Sequence, residues 1–507
     1  MFVRKKRNKS GTVSVQIIDK SSGRYVLHKT VGSSADALEI DFLVKKAKRI
    51  ILTQGGQNVL DFDREAELQY VDTFINGLAD FSLMGPELLL GRIFDEIGFG
   101  NIQDSWLRHL VITRLVYPVS KLKTVDYLFK YKGIETSVYS IYRYLDKLHS
   151  RQMEQIKQIS LQHTLTVLGG RLSVVFYDVT TLYFEAADED DLRKTGFSKD
   201  GKNQNPQIVL GLLVSRDGYP LDYSIFEGNK YEGDTLLPVI EHFEQKYQPE
   251  TLIVITDSGL LSQKNVDLLK ARQYQYILGA RIKNRDKDIT EKILQLDLAD
   301  EQSAIIFLDN EERLIVGFRK SRALRDAQNR KRGLEKLEKK IKSGKLTKSS
   351  INNKGYNKYL RLEGDIKVSI DREKFEQDAC WDGLKGYITN TLLSKEEVIE
   401  QYAQLWNVER TFRISKSDLQ VRPIYHRLRK RIEAHICISF VACKVYKELE
   451  RQLKLKGSLL SAEKVIDILK TIYKVTIQTP FSNNLHQRLL IKTNQQQQLI
   501  DLFDLKI

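Results

Sequence analysis

From residue 172 onward the sequence consists of short apolar runs, each of which ends at a polar residue or a glycine. The runs are SVVFYD, QIVLGLLVS, LDYSIFEG, TLIVITDSG and YQYILGARI, and stretches of helical spacing at 235–245 and 261–272 separate them. Runs of this length are typical of buried strands, and their alternation with helices is typical of a sheet covered by helices. The pattern predicts an α/β core with a mixed sheet that begins near residue 171.

The N-terminal part of the chain has a different pattern. Residues 13–17 alternate between apolar and polar side chains, a Ser-Ser-Gly turn follows, and a second alternating stretch covers 25–31. Alternation with a period of two predicts a β-hairpin. The spacing is helical over 35–52 and over 86–170. We therefore expect a hairpin and helices over 1–85, followed by a mostly α segment.

A pair of helices joined by a glycine turn is predicted within 86–170. The spacing gives one helix over 122–131, a turn at Gly133 and a second helix that begins near Ser137. This order is typical of a helix-turn-helix, whose second helix can lie in a DNA major groove. The side chains that it would present there are Ser137, Tyr139, Ser140 and Arg143. The alternative is a three-helix packing unit that reads no DNA.

The predicted core is interrupted over 284–383 and resumes over 384–450. Within the interruption, residues 319–348 contain 13 Lys or Arg against three acids, at helical spacing, and the strand-like LRLEGDIKVSI follows. We interpret the interruption as an inserted basic helix and strands. The helix is either a solvated charged helix or a surface that contacts phosphates. The remaining residues, 451–507, are expected to form a C-terminal helical region.

The charge of the chain favours a polyanionic partner. Lys and Arg number 81 against 66 Asp and Glu, which gives a formal net charge of +15. An excess of this size favours nucleic acid first and an anionic membrane surface a distant second. No apolar run reaches the length of a membrane span, and the basic start MFVRKKRNKSGTV is followed by no apolar stretch of a secretory signal. We therefore expect a cytoplasmic protein.

Two aspartates follow apolar runs in the predicted core. Asp178 ends the run over 172–177, and Asp257 ends the run over 252–256 and precedes a Ser-Gly turn. Two carboxylates at one edge of a sheet repel each other, and a divalent cation would relieve that repulsion. Each aspartate taken alone could instead be a helix cap or a turn residue.

A third acid lies in the segment EEVIEQYAQLWNVERTFRISKSDL. Increments of four and three residues separate five of its side chains, so a single helix would place them on one face. These are Tyr402, Trp406, Glu409, Arg413 and Lys416. An acid among aromatic and cationic side chains suits a carboxylate that binds metal, with the cations placed to hold phosphate oxygens.

These residues carry a resemblance to a known family. The sequence resembles a DDE transposase of a bacterial insertion sequence, in the superfamily whose signature around the catalytic Glu is Y-x2-R-x3-E-x6-K. Tyr402, Glu409 and Lys416 match that spacing, whereas Leu405 stands at the Arg position. Arg413 and Arg422 are the candidates to replace the missing cation. The blocks FYDVTTLYFE, TGFSKDGKNQNPQIVLGLL, ITDSGLLSQKN and DGLKGYITN share the resemblance, which extends over about 172–426.

The resemblance implies a ribonuclease-H-like mixed sheet with an insertion between the second Asp and the Glu, preceded by an N-terminal DNA-binding region. It implies that Asp178, Asp257 and Glu409 hold two Mg²⁺ ions, for which Mn²⁺ could substitute, and cut DNA for strand transfer. The partners implied are double-stranded DNA, as terminal inverted repeats and target, and further copies of the chain in a homodimer or higher multimer associated with the nucleoid. The DNA-binding residues implied or inferred are Tyr402, Trp406, Arg413, Lys416, Arg422 and Arg143.

Two other functions use the same residues. One is a metal-dependent nuclease that hydrolyses DNA without joining it, and the other is a DNA-binding regulator with a degenerate core. Other chemistries lack their motifs: no G-x-x-x-x-G-K-[ST] loop and no G-x-S-x-G elbow is present. The histidines His163, His426 and His435 lack the spacing of a metal cluster, so we interpret them as structural or phosphate-facing.

Overall fold

The structure is a computed structural model of the 507-residue chain. It describes residues 1–54, 71–186, 188–198, 201–249, 252–260, 262–308, 311–343, 351–352, 355–363, 367–479 and 484–506. The chain divides into two compact units, one formed by 1–81 and 475–488 and the other by 82–474 and 489–507. None of the helices in these ranges is both long enough and apolar enough to cross a membrane.

The first unit contains a three-stranded antiparallel sheet with a helix packed on it. Its elements are β1 (Phe2–Arg7), β2 (Val13–Asp19), β3 (Val26–Ser34) and helix α1 (Ala37–Gln54). The sheet order is β1-β2-β3, so the predicted hairpin is confirmed as β2 and β3. Strand β1 was missed, because its sequence FVRKKR is too basic to show the apolar alternation of a strand. Val15 and Ile17 of β2 pack with Ala47 of the helix.

A second small sheet has the order β16-β15-β4. Its strands are β4 (Leu78–Leu83), β15 (Tyr473–Gln478) and β16 (Leu485–Leu490). Helices α15 (Ala462–Leu469) and α16 (Asn494–Phe503) precede and follow the last two strands. The region over 451–507, expected to be helical, contains these two helices and also two strands that the prediction missed, formed by YKVTIQ and LHQRLL.

The second unit begins with helices that pack around one long buried helix. A π-helix at Glu87–Gly91 leads into α2 (Arg92–Ile97), and the helices that follow are α3 (Ser105–Val116), α4 (Lys121–Lys132), α5 (Val138–Arg151) and α6 (Met153–Val167). The long helix is α14 (Arg429–Leu455), which contacts α3, α5 and α6. Ser120 and Ser137 cap the two predicted helices, and Gly133 adopts the left-handed conformation between them. The predicted pair of helices is confirmed.

An eight-stranded mixed sheet forms the centre of this unit. Its order is β10-β11-β14-β9-β8-β5-β6-β7. The strands are β5 (Val174–Tyr183), β6 (Gln207–Ser215), β7 (Pro220–Glu227), β8 (Ile253–Thr256), β9 (Gln275–Ala280), β10 (Ser303–Phe307), β11 (Arg313–Phe318) and β14 (Leu384–Thr389). All five apolar runs identified in the sequence are strands of this sheet. Strands β5, β8 and β9 are parallel neighbours, and every residue of β6 and β8 is buried.

Helices α7 (Leu236–Tyr247), α8 (Gln263–Ala271) and α9 (Lys287–Leu294) connect the strands of this sheet. The residues between the second aspartate and the Glu409 segment contain α10 (Lys320–Lys342), the hairpin β12 (Leu360–Glu363) and β13 (Lys367–Ile370), and α11 (Arg372–Gln377). The basic helix and the strand-like segment are thus present. Part of the expected interruption is core, however, because β10 and β11 pair with β14 of the main sheet.

Candidate active site

Two neighbouring parallel strands position the first two acids. Strands β5 and β8 pair in the register Val174–Ile253 to Phe176–Ile255. Continued by two residues, this register places Asp178 opposite Asp257, directly after the end of β8. Both aspartates are half-buried, although the strands that carry them are buried. The sequence prediction that the two carboxylates lie at one edge of one sheet agrees with this placement.

The turn after β8 fixes the carboxylate of Asp257. Its Oδ1 accepts hydrogen bonds from the backbone N–H groups of Gly259, at 2.8 Å, and Leu260, at 3.2 Å. A Cβ at position 259 would lie 3.0 Å from that Oδ1, so glycine allows the close approach. Arg281, which follows β9, donates from Nε to the Ser258 carbonyl at 3.0 Å. The turn that carries the second acid is therefore held from both sides.

The segment around Glu409 is not the single helix that the spacing predicts. Helix α12 (Lys395–Ala403) has Gln404 as its C-cap, α13 (Trp406–Arg413) begins after Leu405, and a π-helix follows over Ile414–Asp418. At the break, Leu405 and Asn407 donate to carbonyls three residues earlier, in place of the four of an α-helix. Asn407 also donates from its side chain to the Arg216 carbonyl at 2.8 Å.

The break separates side chains that were expected on one face. Tyr402 is buried, with 6% of its surface exposed, whereas Trp406 is 50% exposed. Glu409 and Arg413 are exposed and Lys416 is half-buried. Tyr402 therefore packs into the protein, while Trp406, Glu409 and Arg413 of α13 face solvent.

Tyr402 packs against the sheet beside Asp257. A Cβ at Gly279 of β9 would lie 2.4 Å from the Tyr402 hydroxyl and 3.0 Å from the Ser258 nitrogen. Burial raises the pKa of Tyr402 above its usual range, and the negative charges of Asp257 and Glu409 raise it further. The Tyr402 hydroxyl therefore lies within electrostatic range of both Asp257 and Glu409.

A lysine that the sequence analysis did not select lies beside them. The Nζ of Lys385, on β14, is 4.4 Å from the centroid of the Tyr402 ring and 5.3 Å from that of Tyr387. Burial lowers the pKa of Lys385 to about 8, with a further lowering by Arg322 and Arg319 and an opposing effect of Glu409. Lys385 lies in the DGLKGYITN block. The resemblance of that block to the family was the one feature of the sequence that could have identified this lysine.

The other predicted binding residues are distributed over several elements. The guanidinium of Arg422 lies 5.7 Å from the Tyr183 ring at the end of β5. Arg143 is exposed on α5, where it donates to the Ser140 hydroxyl at 3.4 Å. Arg410, not selected from the sequence, stacks 5.9 Å from the Trp406 ring and pairs with Glu450.

Leu405, at the signature Arg position, is 8% exposed and belongs to the main hydrophobic core. The three histidines are buried or nearly so, and burial is the main cause of the lowered pKa of each. His435, for example, lies 3.0 Å from the Val421 carbonyl. This packing favours the interpretation of the three histidines as structural residues.

No group of three His, Cys, Asp or Glu side chains within the described ranges is arranged to hold a metal ion. The three predicted acids all lie in those ranges and do not form such a group. Glu409 is the exposed member of the three.

Comparison with known proteins identifies the family. The family model described as "Transposase DDE domain" matches residues 169–443, whereas no curated protein matches the sequence. Among solved structures, the chain is similar to a piggyBac transposase synaptic complex with hairpin DNA, at 10% identity and a TM-score of 0.39 over 79% of each chain. It is also similar to a Mos1 transposase paired-end complex with the left transposon end, at 11% identity and a TM-score of 0.16, over 33% of this chain and 56% of that one. Because the family match covers more than half of the residues and includes Asp178, Asp257 and Glu409, the chain belongs to the transposase DDE domain family.

Proposed function

We propose that this protein cleaves DNA at the ends of its own element and joins the freed 3′-OH ends to target DNA. The observation that carries the proposal is the placement of three acids. The register of β5 and β8 puts Asp178 opposite Asp257, and the charges of Asp257 and Glu409 both raise the pKa of Tyr402. Membership in the transposase DDE domain family supports the same reaction class.

The proposed fold of the catalytic core is ribonuclease-H-like. In support, the strands that carry the two aspartates are adjacent and parallel within a mixed sheet. The basic helix α10 and the hairpin of β12 and β13 lie between Asp257 and Glu409 in the chain. We propose that these elements are the insertion of the catalytic domain.

The donor set suits a hard divalent cation, because all three residues supply carboxylate oxygens. In support, Asp178 and Asp257 lie opposite each other in the register of β5 and β8, and the turn at Gly259 holds the Asp257 carboxylate. We propose that Asp178, Asp257 and Glu409 hold Mg²⁺, with Mn²⁺ as a substitute. The chemistry that such ions supply is activation of the attacking oxygen and stabilisation of the leaving oxygen.

The proposed reaction has two phosphoryl transfers. In the first, water attacks a phosphorus at the element end, and the 3′ oxygen leaves and takes up a proton. In the second, that 3′-OH attacks a target phosphorus, and a target 3′ oxygen leaves. Each step exchanges one P–O bond for another, so positioning and neutralisation of charge are the protein's contributions.

The cationic side chains beside the acids are suited to binding the phosphate groups of DNA. Arg322 and Arg319 add to the lowering of the Lys385 pKa that burial causes, and Glu409 opposes it, so a partly desolvated lysine has two cations and one acid within electrostatic range. A phosphate among the three cationic side chains would relieve their repulsion. We propose that these three side chains do the work of the signature arginine, whose position Leu405 occupies within the core.

We propose that the remaining DNA contacts come from the helical segment around Glu409 and from α5. Trp406 offers an exposed ring with Arg410 stacked on it, and Arg413 is exposed at the end of the same helix. Lys416 and Arg422 follow in the chain. The spacing of Tyr402, Glu409 and Lys416 supports placement among bacterial insertion-sequence transposases, which would act as a homodimer or higher multimer on DNA.

The experiment uses a labelled duplex that carries the inverted repeat flanking the reading frame, together with an unlabelled target plasmid. With Mg²⁺, the proposal expects cleavage at the element end and labelled strands joined to the plasmid. Cleavage without joined product would instead show a nuclease. Binding without cleavage would show a DNA-binding regulator. The Glu409→Gln protein controls for contaminating nucleases, since it should bind the duplex and leave it intact.

A further inference from the structure

A short connecting segment, residues 419–424, lies between the π-helix that follows α13 and helix α14. Leu419, Val421 and Ile424 of this segment are buried. The Ile424 nitrogen donates to the carbonyl of Tyr183, the last residue of β5, at 3.3 Å. The connecting segment therefore lies against the strand that carries the first of the three acids.

Two buried side chains of other elements hold the backbone of the connecting segment. Arg114 of α3 donates from Nη1 to the carbonyls of Leu419 and Gln420, at 3.4 Å each. His435 of α14 donates from Nε2 to the Val421 carbonyl at 3.0 Å. Arg114 is 5% exposed and His435 is 6% exposed. Three consecutive carbonyls are thus bound from inside the protein.

Arg114 and His435 also contact each other. Because a carbonyl only accepts, the proton of His435 lies on Nε2, and its Nδ1 can accept from Nη2 of Arg114 at 3.5 Å. Burial, together with the charges of Arg114, Lys121 and His426, lowers the pKa of His435 well below its ordinary value, so the ring is neutral. Burial lowers the pKa of Arg114 only to about 10, so the guanidinium stays charged at neutral pH.

The conformation of the connecting segment needs such support. Gln420 has a φ of 45°, in the left-handed region that residues with a side chain rarely adopt. Such a conformation costs free energy and persists where the surrounding contacts determine it. The two carbonyls that Arg114 binds lie on either side of the Gln420 Cα. The guanidinium therefore holds this residue directly.

The connecting segment carries Arg422, whose guanidinium lies 5.7 Å from the centroid of the Tyr183 ring. Tyr183 follows Asp178 by five residues in β5, which corresponds to about 16 Å along a strand. Successive phosphates of a DNA strand are about 3.4 Å apart along the axis, so in a duplex aligned with β5 a phosphate beside Arg422 would lie about five base pairs from the acids.

We propose that Arg114 and His435 are positioning residues for Arg422, which they hold where it binds a phosphate flanking the cleavage site. Neither touches DNA, since both are buried beneath the connecting segment. The inference rests on the proposed function, because it assigns how one phosphate contact of that reaction is built. It concerns DNA affinity, however, and can be tested without cleavage.

The test uses the full chain in EDTA and a duplex that carries the inverted repeat flanking the reading frame. Affinity is measured against salt, because the slope of log affinity against log salt counts the phosphates that the protein neutralises. Arg422→Gln should lower this slope by about 0.9. His435→Leu exchanges two neutral side chains and removes no charge, yet it should lower the slope equally. The double variant should have the slope of Arg422→Gln, because one contact is lost only once.

His163→Leu is the matched control, since His163 is a nearly buried histidine of the same unit that lies against Glu448 and Tyr219. It should keep the parent slope even where it lowers the thermal midpoint. A parent slope for His435→Leu, or for Arg422→Gln, would overturn the proposal. Failure of the parent to cleave or join DNA in Mg²⁺ would count against the proposed function and would leave these slopes, and the positioning role, intact.

Two further variants guard against a folding defect. His435→Gln keeps a donor for the Val421 carbonyl and an acceptor for Arg114, so it should recover the parent slope. Arg114→Lys keeps the charge and loses the planar guanidinium that reaches both the carbonyls and the ring, so it should lower the slope as Arg422→Gln does. If His435→Leu does not fold, Arg114→Lys decides, and a parent slope for that variant would overturn the proposal.

Discussion

The ammonium of Lys385 lies over the ring of Tyr402, 4.4 Å from its centroid. The lysine comes from β14 of the sheet, and the tyrosine comes from the helix that precedes the Glu409 segment. The pair therefore connects the edge of the sheet that carries Asp257 with the chain that leads to Glu409. Disturbing either member should affect both the stability and the reaction.

Lys385 should make the free energy of unfolding depend on pH in the alkaline range. Its pKa is lowered to about 8, so between that value and its ordinary pKa the unfolded chain binds more protons than the folded chain. Stability from this group therefore rises as pH increases through that window. The Lys385→Met protein should lose this rise when unfolding by urea is measured across it. Lys340→Met, on the exposed side of α10, should keep the parent profile.

The three acids should be needed for cleavage and not for DNA binding. We expect Asp178→Asn, Asp257→Asn and Glu409→Gln each to lower the cleavage rate by more than about a hundredfold, because each removes a ligand charge. Binding to the same duplex in EDTA should change little. Glu400→Gln, an exposed acid of α12, is the control and should cleave normally. Near-normal cleavage by any of the first three variants would remove that residue from the ligand set.

The contact between Gly279 and Tyr402 can be tested by steric replacement. Gly279→Ala places a Cβ 2.4 Å from the Tyr402 hydroxyl. The substitution should therefore destabilise the protein by about 1–3 kcal/mol. Tyr402→Phe removes the clashing oxygen, and the double variant should recover part of the loss. Gly317→Ala in β11 is the matched control, since its nearest neighbour would be 3.6 Å away. Additive effects of the two substitutions would contradict this packing.

Buried histidines should make the protein sensitive to acid. Burial, aided by the charge of Lys444, lowers the pKa of His163 to about 4. Between that value and the ordinary histidine pKa, the unfolded chain binds the extra proton, so stability falls as pH decreases. His163→Gln should lessen the loss by roughly 1 kcal/mol between about pH 7 and pH 5, after discounting for solvent screening. A variant of exposed His486 should show the parent's loss.

The basic helix α10 should contribute to DNA affinity through charge. Replacing Lys336 and Lys340 with Gln should reduce the slope of log affinity against log salt by about 0.9 for each phosphate that the helix no longer neutralises. The same replacement at Lys454 and Lys464, both exposed in the C-terminal part of the chain, controls for net charge. Parallel lines for parent and α10 variant would favour a solvated charged helix.

The sequence predicts the strands that carry Asp178 and Asp257 well, because buried strands leave uninterrupted apolar runs. It also predicts the basic helix and the helix pair, because the helical spacing of their residues is a local feature of the sequence. It does not predict the break at Gln404, beside which Asn407 donates a hydrogen bond to the carbonyl of Arg216, a residue distant in the sequence. Lys385 was missed because its surroundings combine residues far apart in the chain. Nothing in the local sequence distinguishes it from other lysines.

The pairing of β4 with β15 has a consequence for synthesis of the protein. About 390 residues separate the end of β4 from the start of β15. The ribosome would therefore need roughly 20–80 s to supply the partner strand. Over that interval LADFSL is an unpaired edge, open to other nascent chains. Premature termination before Tyr473 would leave that edge permanently unpaired. Such fragments should aggregate or be degraded, which would keep truncated copies from competing with full-length protein.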